Sequence, residues 1–162
     1  MKKLASLVIV LFSLALTSCS SDDSSSTVPP VIDEPQVEQL HIKFKLNNDQ
    51  YSFEPSTLLS LQRNIMGESY VNDVFKGISL WMPVTPTVGT HPITDATPTD
   101  ANIASLYNVE VWIADTRYPA DAGSMIITEV STEFVKGTFT CSGTDETGQP
   151  FTIINGSFKA DR

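Results

Sequence analysis

From Leu40 onward the apolar positions of the chain recur with a period of two. Leu40, Ile42, Phe44 and Leu46 alternate with His41, Lys43 and Lys45, the pattern of a strand with one covered and one wetted face. Asn47-Asn48-Asp49 supplies a turn, and Gln50 to Glu54 returns as a short strand that carries Tyr51 and Phe53 inward, completing an opening hairpin. Ile78, Leu80 and Met82 repeat the alternation with Ser79 and Trp81 opposite, until Pro83 and Pro86 stop the ladder by removing donors and fixing φ. Tyr107, Val109, Val111 and Ile113 restore it, with Asn108, Glu110 and Trp112 on the other side. After Tyr118-Pro119, Asp121-Ala122-Gly123 predicts a turn and Met125 to Val130 a further strand. The clearest pair comes last: Phe134 to Ser142, a turn over residues 144–148 in which Gly148 supplies positive φ, and Pro150 to Phe158. Both faces of that closing strand carry apolar residues, which points to a central or doubly covered position. Gly137, Gly143 and Gly156 read as bend, turn and close-packing positions.

Two stretches are less regular. Between Ser56 and Lys76, Leu58, Leu59, Leu61 and Ile65 could line a short helix, or Leu59 and Leu61 could point inward from a strand that ends before Gly67; the strand is the expectation adopted. Residues 83–106 hold prolines at 83, 86, 92 and 98 and read either as a functional loop or, preferably, as a crossover covering one end of a sandwich. Seven or eight short strands without a long helical pattern predict one all-β domain over residues 39–162, an antiparallel β-sandwich or alternatively a small β-barrel. Crossover helices for a parallel α/β fold are missing, and no GxxxxGK[ST] or GxGxxG loop accompanies a helix.

The first eighteen residues have a different character. Lys2 and Lys3 precede a mostly apolar run from Leu4 to Leu16, about 20 Å long as a helix at roughly 1.5 Å per residue. That is too short for the roughly 20 residues that span a bilayer, so residues 1–18 are read as a signal peptide. Leu16-Thr17-Ser18-Cys19 resembles the bacterial lipoprotein processing box, which implies diacylglyceryl transfer to Cys19, anchoring in the lipid bilayer by acyl chains such as palmitate, and cleavage before it. Ordinary secretion with Cys19 left a free thiol is the alternative. No Asp follows Cys19 directly, and Ser20 favours the outer membrane; a serine soon followed by acids also resembles the surface-export signal of Bacteroidota lipoproteins. Surface exposure is the expectation, with a periplasm-facing domain as the alternative. Residues 20–38 hold five acids, six Ser or Thr and three prolines without an aromatic residue, a composition expected to remain a disordered spacer together with Cys19. With Cys19 lipidated, Cys141 alone is left and no internal disulfide can form; its alternation with Val135, Gly137 and Phe139 places it in the core.

The sequences Met125-Ile126-Ile127-Thr128-Glu129, Val135-Lys136-Gly137-Thr138-Phe139-Thr140 and Ile153-Ile154-Asn155-Gly156-Ser157-Phe158 resemble the carboxyl-terminal pattern of a family of small Bacteroidota lipoproteins of unknown function. Cys141 stands where an aromatic residue is common in that pattern, and Ile154 replaces Thr before Asn155-Gly156. The resemblance covers the last forty or so residues and implies an envelope location and an all-β domain. It brings no catalytic residue with it.

Charge and candidate chemistry narrow the function classes. Nineteen Asp and Glu against ten Lys and Arg give a formal charge of -9, which argues against a nucleic-acid partner. Asp95, Asp100, Asp115 and Asp121 are weak candidates for a Ca²⁺ site because they lack the ligand density of a dedicated loop, and solvated turns explain them better. His41 and His91 lack the spacing and Cys partners of a zinc set, so no metal or other cofactor is expected. Glu110 and Glu129 on neighbouring predicted strands could face each other as a hydrolase pair, or both lie in solvent; a non-catalytic protein is expected. Trp81 and Trp112 each lie opposite the main apolar set of a strand. If those strands are adjacent, the rings make an aromatic platform for a glycan or peptide, with Tyr107 or Tyr118 at its edge. The competing explanation is a second core covered by residues 56–76. A third is a structural lipoprotein that docks on another envelope protein through a strand edge or the 83–106 loop.

Overall fold

A computed structural model describes residues 38–162. Residues 37–162 form a compact unit of their own, and among the described residues the only regular elements are strands, all paired antiparallel. The chain runs β1 (His41–Leu46), β2 (Asp49–Phe53), β3 (Pro55–Leu59), β4 (Arg63–Val71), β5 (Val74–Met82), β6 (Gly89–Pro92), β7 (Asn108–Ile113), β8 (Thr116–Val130), β9 (Phe134–Thr144) and β10 (Pro150–Asp161). Hydrogen bonding orders them β2-β1-β10-β9-β8-β7-β5-β4-β3, with β6 beside the second half of β8. The all-β antiparallel expectation holds, and the sheet curls until its two ends almost meet, so the described residues form a nearly closed barrel made of two facing halves.

Two corners turn one half into the other. At the first, β2 pairs with β1 and β3 with β4, so the chain changes partner at Glu54, immediately before Pro55. Pro55 has no N–H, which is tolerated where the ladder breaks. Phe53 folds over Gly67 there, and a Cβ on Gly67 would lie 2.9 Å from the ring carbon of Phe53. At the second corner, residues 116–119 of β8 pair with β7 while residues 120–130 pair with β9. The turn expected over Asp121-Ala122-Gly123 is instead a bulge within this one long strand: the register shifts between Ala120 and Ala122, and Gly123 sits at φ 143°. An extra residue on one strand increases local bend and twist without ending the ladder, and a glycine at positive φ makes it cheap.

Inward positions are those the alternation marks. Ile42, Phe44, Ile65, Ile78, Leu80, Val109, Val111, Phe139, Ile153 and Phe158 are buried in one core. The opening hairpin forms as expected, with Asn47 at positive φ in its turn. In the closing hairpin, aromatic side chains lie over glycines on the partner strand: Phe158 is opposite Gly137, Phe151 opposite Gly143 and Phe139 opposite Gly156. A Cβ on Gly137 would stand 2.9 Å from the Phe158 ring, so packing requires the missing side chain. The central position expected for the last strand is confirmed, with β10 lying between β1 and β9. Ile154, on its outer face, is 44% exposed, so that face is wet rather than covered.

The 56–76 stretch is strand, as adopted, but its leucines are not buried. Leu58, Leu59 and Leu61 are exposed at the β3–β4 connection, and Gly67 lies in the middle of β4 rather than after a strand. Arg63, Ile65 and Gly67 take the inward positions of β4; Leu59, paired with Arg63, and Leu61 share that parity, but they sit at the β3–β4 connection, where parity does not bring burial, and Leu58 has the outward parity of Asn64. Arg63 is buried: its guanidinium donates to the Val84 carbonyl at 3.1 Å and, at 3.5 Å, to that of Asp161. Desolvation, then the neighbouring charge of Arg162, lowers its pKa. The 83–106 stretch crosses between β5 and β7, adds β6 to one edge and sends Ile93 and Leu106 into buried positions, in keeping with a covering crossover.

Candidate functional site

Because side chains alternate across a strand, residues two apart on β4, β5, β7 and β8 share the outer face of one half-barrel. The register lays them out in three rows: Asn64, Trp81 and Asn108; then Met66, Ser79, Glu110 and Pro119; then Glu68, Gly77, Trp112 and Arg117. β5 and β7 are neighbours, so Trp81 and Trp112 lie on one face, on adjacent strands, separated by the Ser79–Glu110 row. Both rings are partly exposed, neither sealed in a second core nor fully in solvent. Trp112 stands opposite Gly77, and the Phe75 ring lies over that glycine: a Cβ there would come 2.9 Å from its Cζ. Tyr70 and Phe75, paired across β4 and β5 with rings 5.2 Å apart, continue the aromatic face towards the 72–73 turn. Along β5 alone, Phe75 to Trp81 spans about 20 Å at roughly 3.3 Å per residue.

The floor between the rings is polar and fixed. The Ser79 hydroxyl donates to the side-chain carbonyl of Asn64, and both residues are buried. Glu110 forms an ion pair with Arg117 across β7 and β8; the Arg117 side chain is 54% exposed against 17% for Glu110. Beyond Trp81 the crossover forms a wall: the Asn108 side-chain amide donates to the carbonyls of Thr94 and Ala96, holding residues 94–96 against the sheet. Between wall and sheet lies a cleft of about 280 Å³ lined by Trp81, Asp95, Ala96, Pro98, Glu110 and Arg117, among others. The lining combines an indole flank with the polar side chains of Asp95, Asn108, Glu110 and Arg117.

The tyrosines do not join this face. Tyr107 is 2% exposed and stacks on His91 with centroids 4.2 Å apart. Tyr118 lies opposite Val111 and meets Phe151 edge-on at 5.4 Å. Their placement at the platform's edge is therefore corrected: Tyr107 has the parity of Val109 and Val111, and Tyr118 faces one of them, so both rings turn inward. Asn108 and Glu110 share the Trp112 face as parity predicted, and Arg117 joins them once β8 is paired. Tyr70 and Phe75 needed the β4–β5 register, which sequence reading did not supply. The cover expected from residues 56–76 comes instead from the crossover.

The aspartates remain apart. Asp95 borders the cleft, Asp100 lies in the crossover, Asp115 in the β7–β8 turn and Asp121 in the β8 bulge, all exposed. Among the described residues no three His, Cys, Asp or Glu gather as metal ligands. Glu129 faces Lys136 on the other half-barrel, so it does not confront Glu110. The Cys141 thiol is buried, and desolvation pushes its pKa up to about 12, far from the thiolate a nucleophile requires. The signal segment, Cys19 and the spacer up to residue 37 fall outside the described residues; Glu38, counted with the disordered spacer, is instead held by Lys136 and Lys159. No family model, curated protein or solved structure matches this chain.

Proposed function

We propose that the chain is an outer-membrane lipoprotein, anchored through Cys19 and carried at the cell surface, whose β domain is a non-catalytic binding module for an extended glycan or peptide. The signal peptide, processing box and acidic spacer support the anchor, and the carboxyl-terminal resemblance to small Bacteroidota lipoproteins fits it. The observation that carries the binding reading is the aromatic face: Trp81 and Trp112 partly exposed on adjacent strands, with the cleft beside Trp81. A row of rings along a rigid sheet suits a ligand that repeats. Sugar rings present apolar C–H faces to indoles while their hydroxyls reach Glu110 and Arg117.

Titration of the protein with neutral polysaccharides and with unstructured peptides, followed by tryptophan fluorescence, tests this directly. A saturable spectral shift is expected, with the Kd weakened about thirtyfold in Trp81→Ala, the equivalent of losing an anchor of about 2 kcal/mol. A flat titration with both ligand classes, together with recovery of one specific outer-membrane protein after cross-linking in cells, would replace recognition of a glycan or peptide by docking.

A further inference from the structure

The two ends of the barrel differ in chemistry. At one end lie four tight turns made of polar residues: Asn47-Asn48, Asn72-Asp73, Ala114-Asp115 and the loop from Asp145 to Gln149. Asn47, Asn72, Asp73 and Ala114 take positive φ there, and Asp73, Asp115, Asp145 and Glu146 place carboxylates in these turns. At the opposite end, the β3–β4 connection projects Leu58, Leu59 and Leu61, which are 57%, 55% and 82% exposed. Val84, whose carbonyl accepts from Arg63, is exposed beside them. Three exposed leucines within four residues are an unfavourable surface unless something apolar covers them.

The chain itself indicates what that is. Residues 38–40 join the barrel at this same end. The Glu38 carboxylate pairs with Lys136 and its carbonyl accepts from Lys159 at 2.8 Å, while Thr57 on β3 donates to the Asp161 carbonyl at 2.8 Å, two residues further along β10. The stretch leading back to Cys19 therefore leaves from the leucine-bearing end, and the acidic turns lie at the far end. We infer that Leu58, Leu59 and Leu61 form an apolar tip that dips into the lipid surface to which the chain is anchored. The inference rests on the anchor at Cys19. With only the eighteen residues 20–37 between Cys19 and Glu38, an anchored chain holds the tip at an effective concentration on the order of millimolar near the bilayer, so a contact too weak to bind a free protein is populated in the anchored one.

The test uses the full acylated protein in phosphatidylethanolamine–phosphatidylglycerol vesicles. In a Cys141→Ala background, Leu61→Cys carries an environment-sensitive fluorophore, and Tyr70→Cys carries it at the far end. Blue-shifted emission at position 61, quenched by doxyl-labelled lipids at least threefold more than at position 70, is expected. Equal quenching at the two positions overturns the tip. A blue shift at 61 that grows with protein density and ignores the doxyl lipids also overturns it, in favour of a second copy as the covering surface. Protein that fails to sediment with vesicles contradicts the anchor separately. The same labelled chains at millimolar lipid then decide: selective quenching at 61 supports the tip, and its absence overturns it.

Discussion

The β9–β10 hairpin and the β4–β5 hairpin are both long antiparallel pairs, yet they solve burial in opposite ways. In β9–β10 every inward position is apolar or glycine, and phenylalanine rings fill the space that Gly137, Gly143 and Gly156 leave open. In β4–β5 a buried arginine stands inward, a buried Asn64–Ser79 hydrogen bond lies on the outer face, and aromatic rings are left partly in water. The first hairpin is built to specify the barrel. The second leaves its apolar closure incomplete, with polar groups and rings at the surface.

Overfilling the first hairpin should have the largest effect. Gly137→Val places methyl groups into the Phe158 ring and the backbone of β8, and an expected loss of about 3 kcal/mol or more should appear as a reduced urea midpoint at unchanged m. A comparable outcome from an outer-face substitution such as Thr138→Val would remove the contrast.

The second effect comes from the dryness around Cys141. Its thiol, raised to about 12 by burial, stays protonated in the fold while the unfolded chain ionises near 9. Below pH 9 both states hold the proton and the full stability is present. Between pH 9 and 12 the unfolded chain binds fewer protons, so stability falls with pH, by about 1 kcal/mol per unit. Tyr51 and Tyr107, raised chiefly by desolvation, push in the same direction. Subtracting the pH profile of Cys141→Ala from that of the parent isolates the cysteine contribution; identical slopes would mean that water reaches this part of the core.

The smallest effect belongs to the second hairpin. Ser79→Ala leaves the Asn64 carbonyl without its buried donor, at an expected cost of about 1–2 kcal/mol. Restoration of most of that loss by Asn64→Leu in the same chain would show that the pair is a polar surface closed over locally rather than a requirement of the barrel.

This contrast also explains what the sequence disclosed. Strict alternation made β1, β7, β9 and β10 readable, because a period of two with one buried face has few other interpretations. The Asp121–Gly123 bulge imitated a turn, since the residues that allow a strand to bend are those that let a chain reverse. Leu59 and Leu61 have the inward parity of Arg63 and Ile65 but sit at a strand connection, where neither parity nor hydrophobicity brings burial. Trp81 and Trp112 were recognisable as a pair from parity, whereas Tyr70, Phe75 and Arg117 came into view only with strand order, a property of the whole sheet that no local pattern encodes.

The grip of Lys136 and Lys159 on Glu38 has a mechanical corollary. A pull applied at Glu38 reaches the barrel through β1, which is laced along its length to β2 on one side and β10 on the other. Tension directed along that strand loads both ladders in shear, sharing the strain among many hydrogen bonds at once instead of peeling them singly. The domain is thereby set to resist a load drawn along β1 better than one drawn across it.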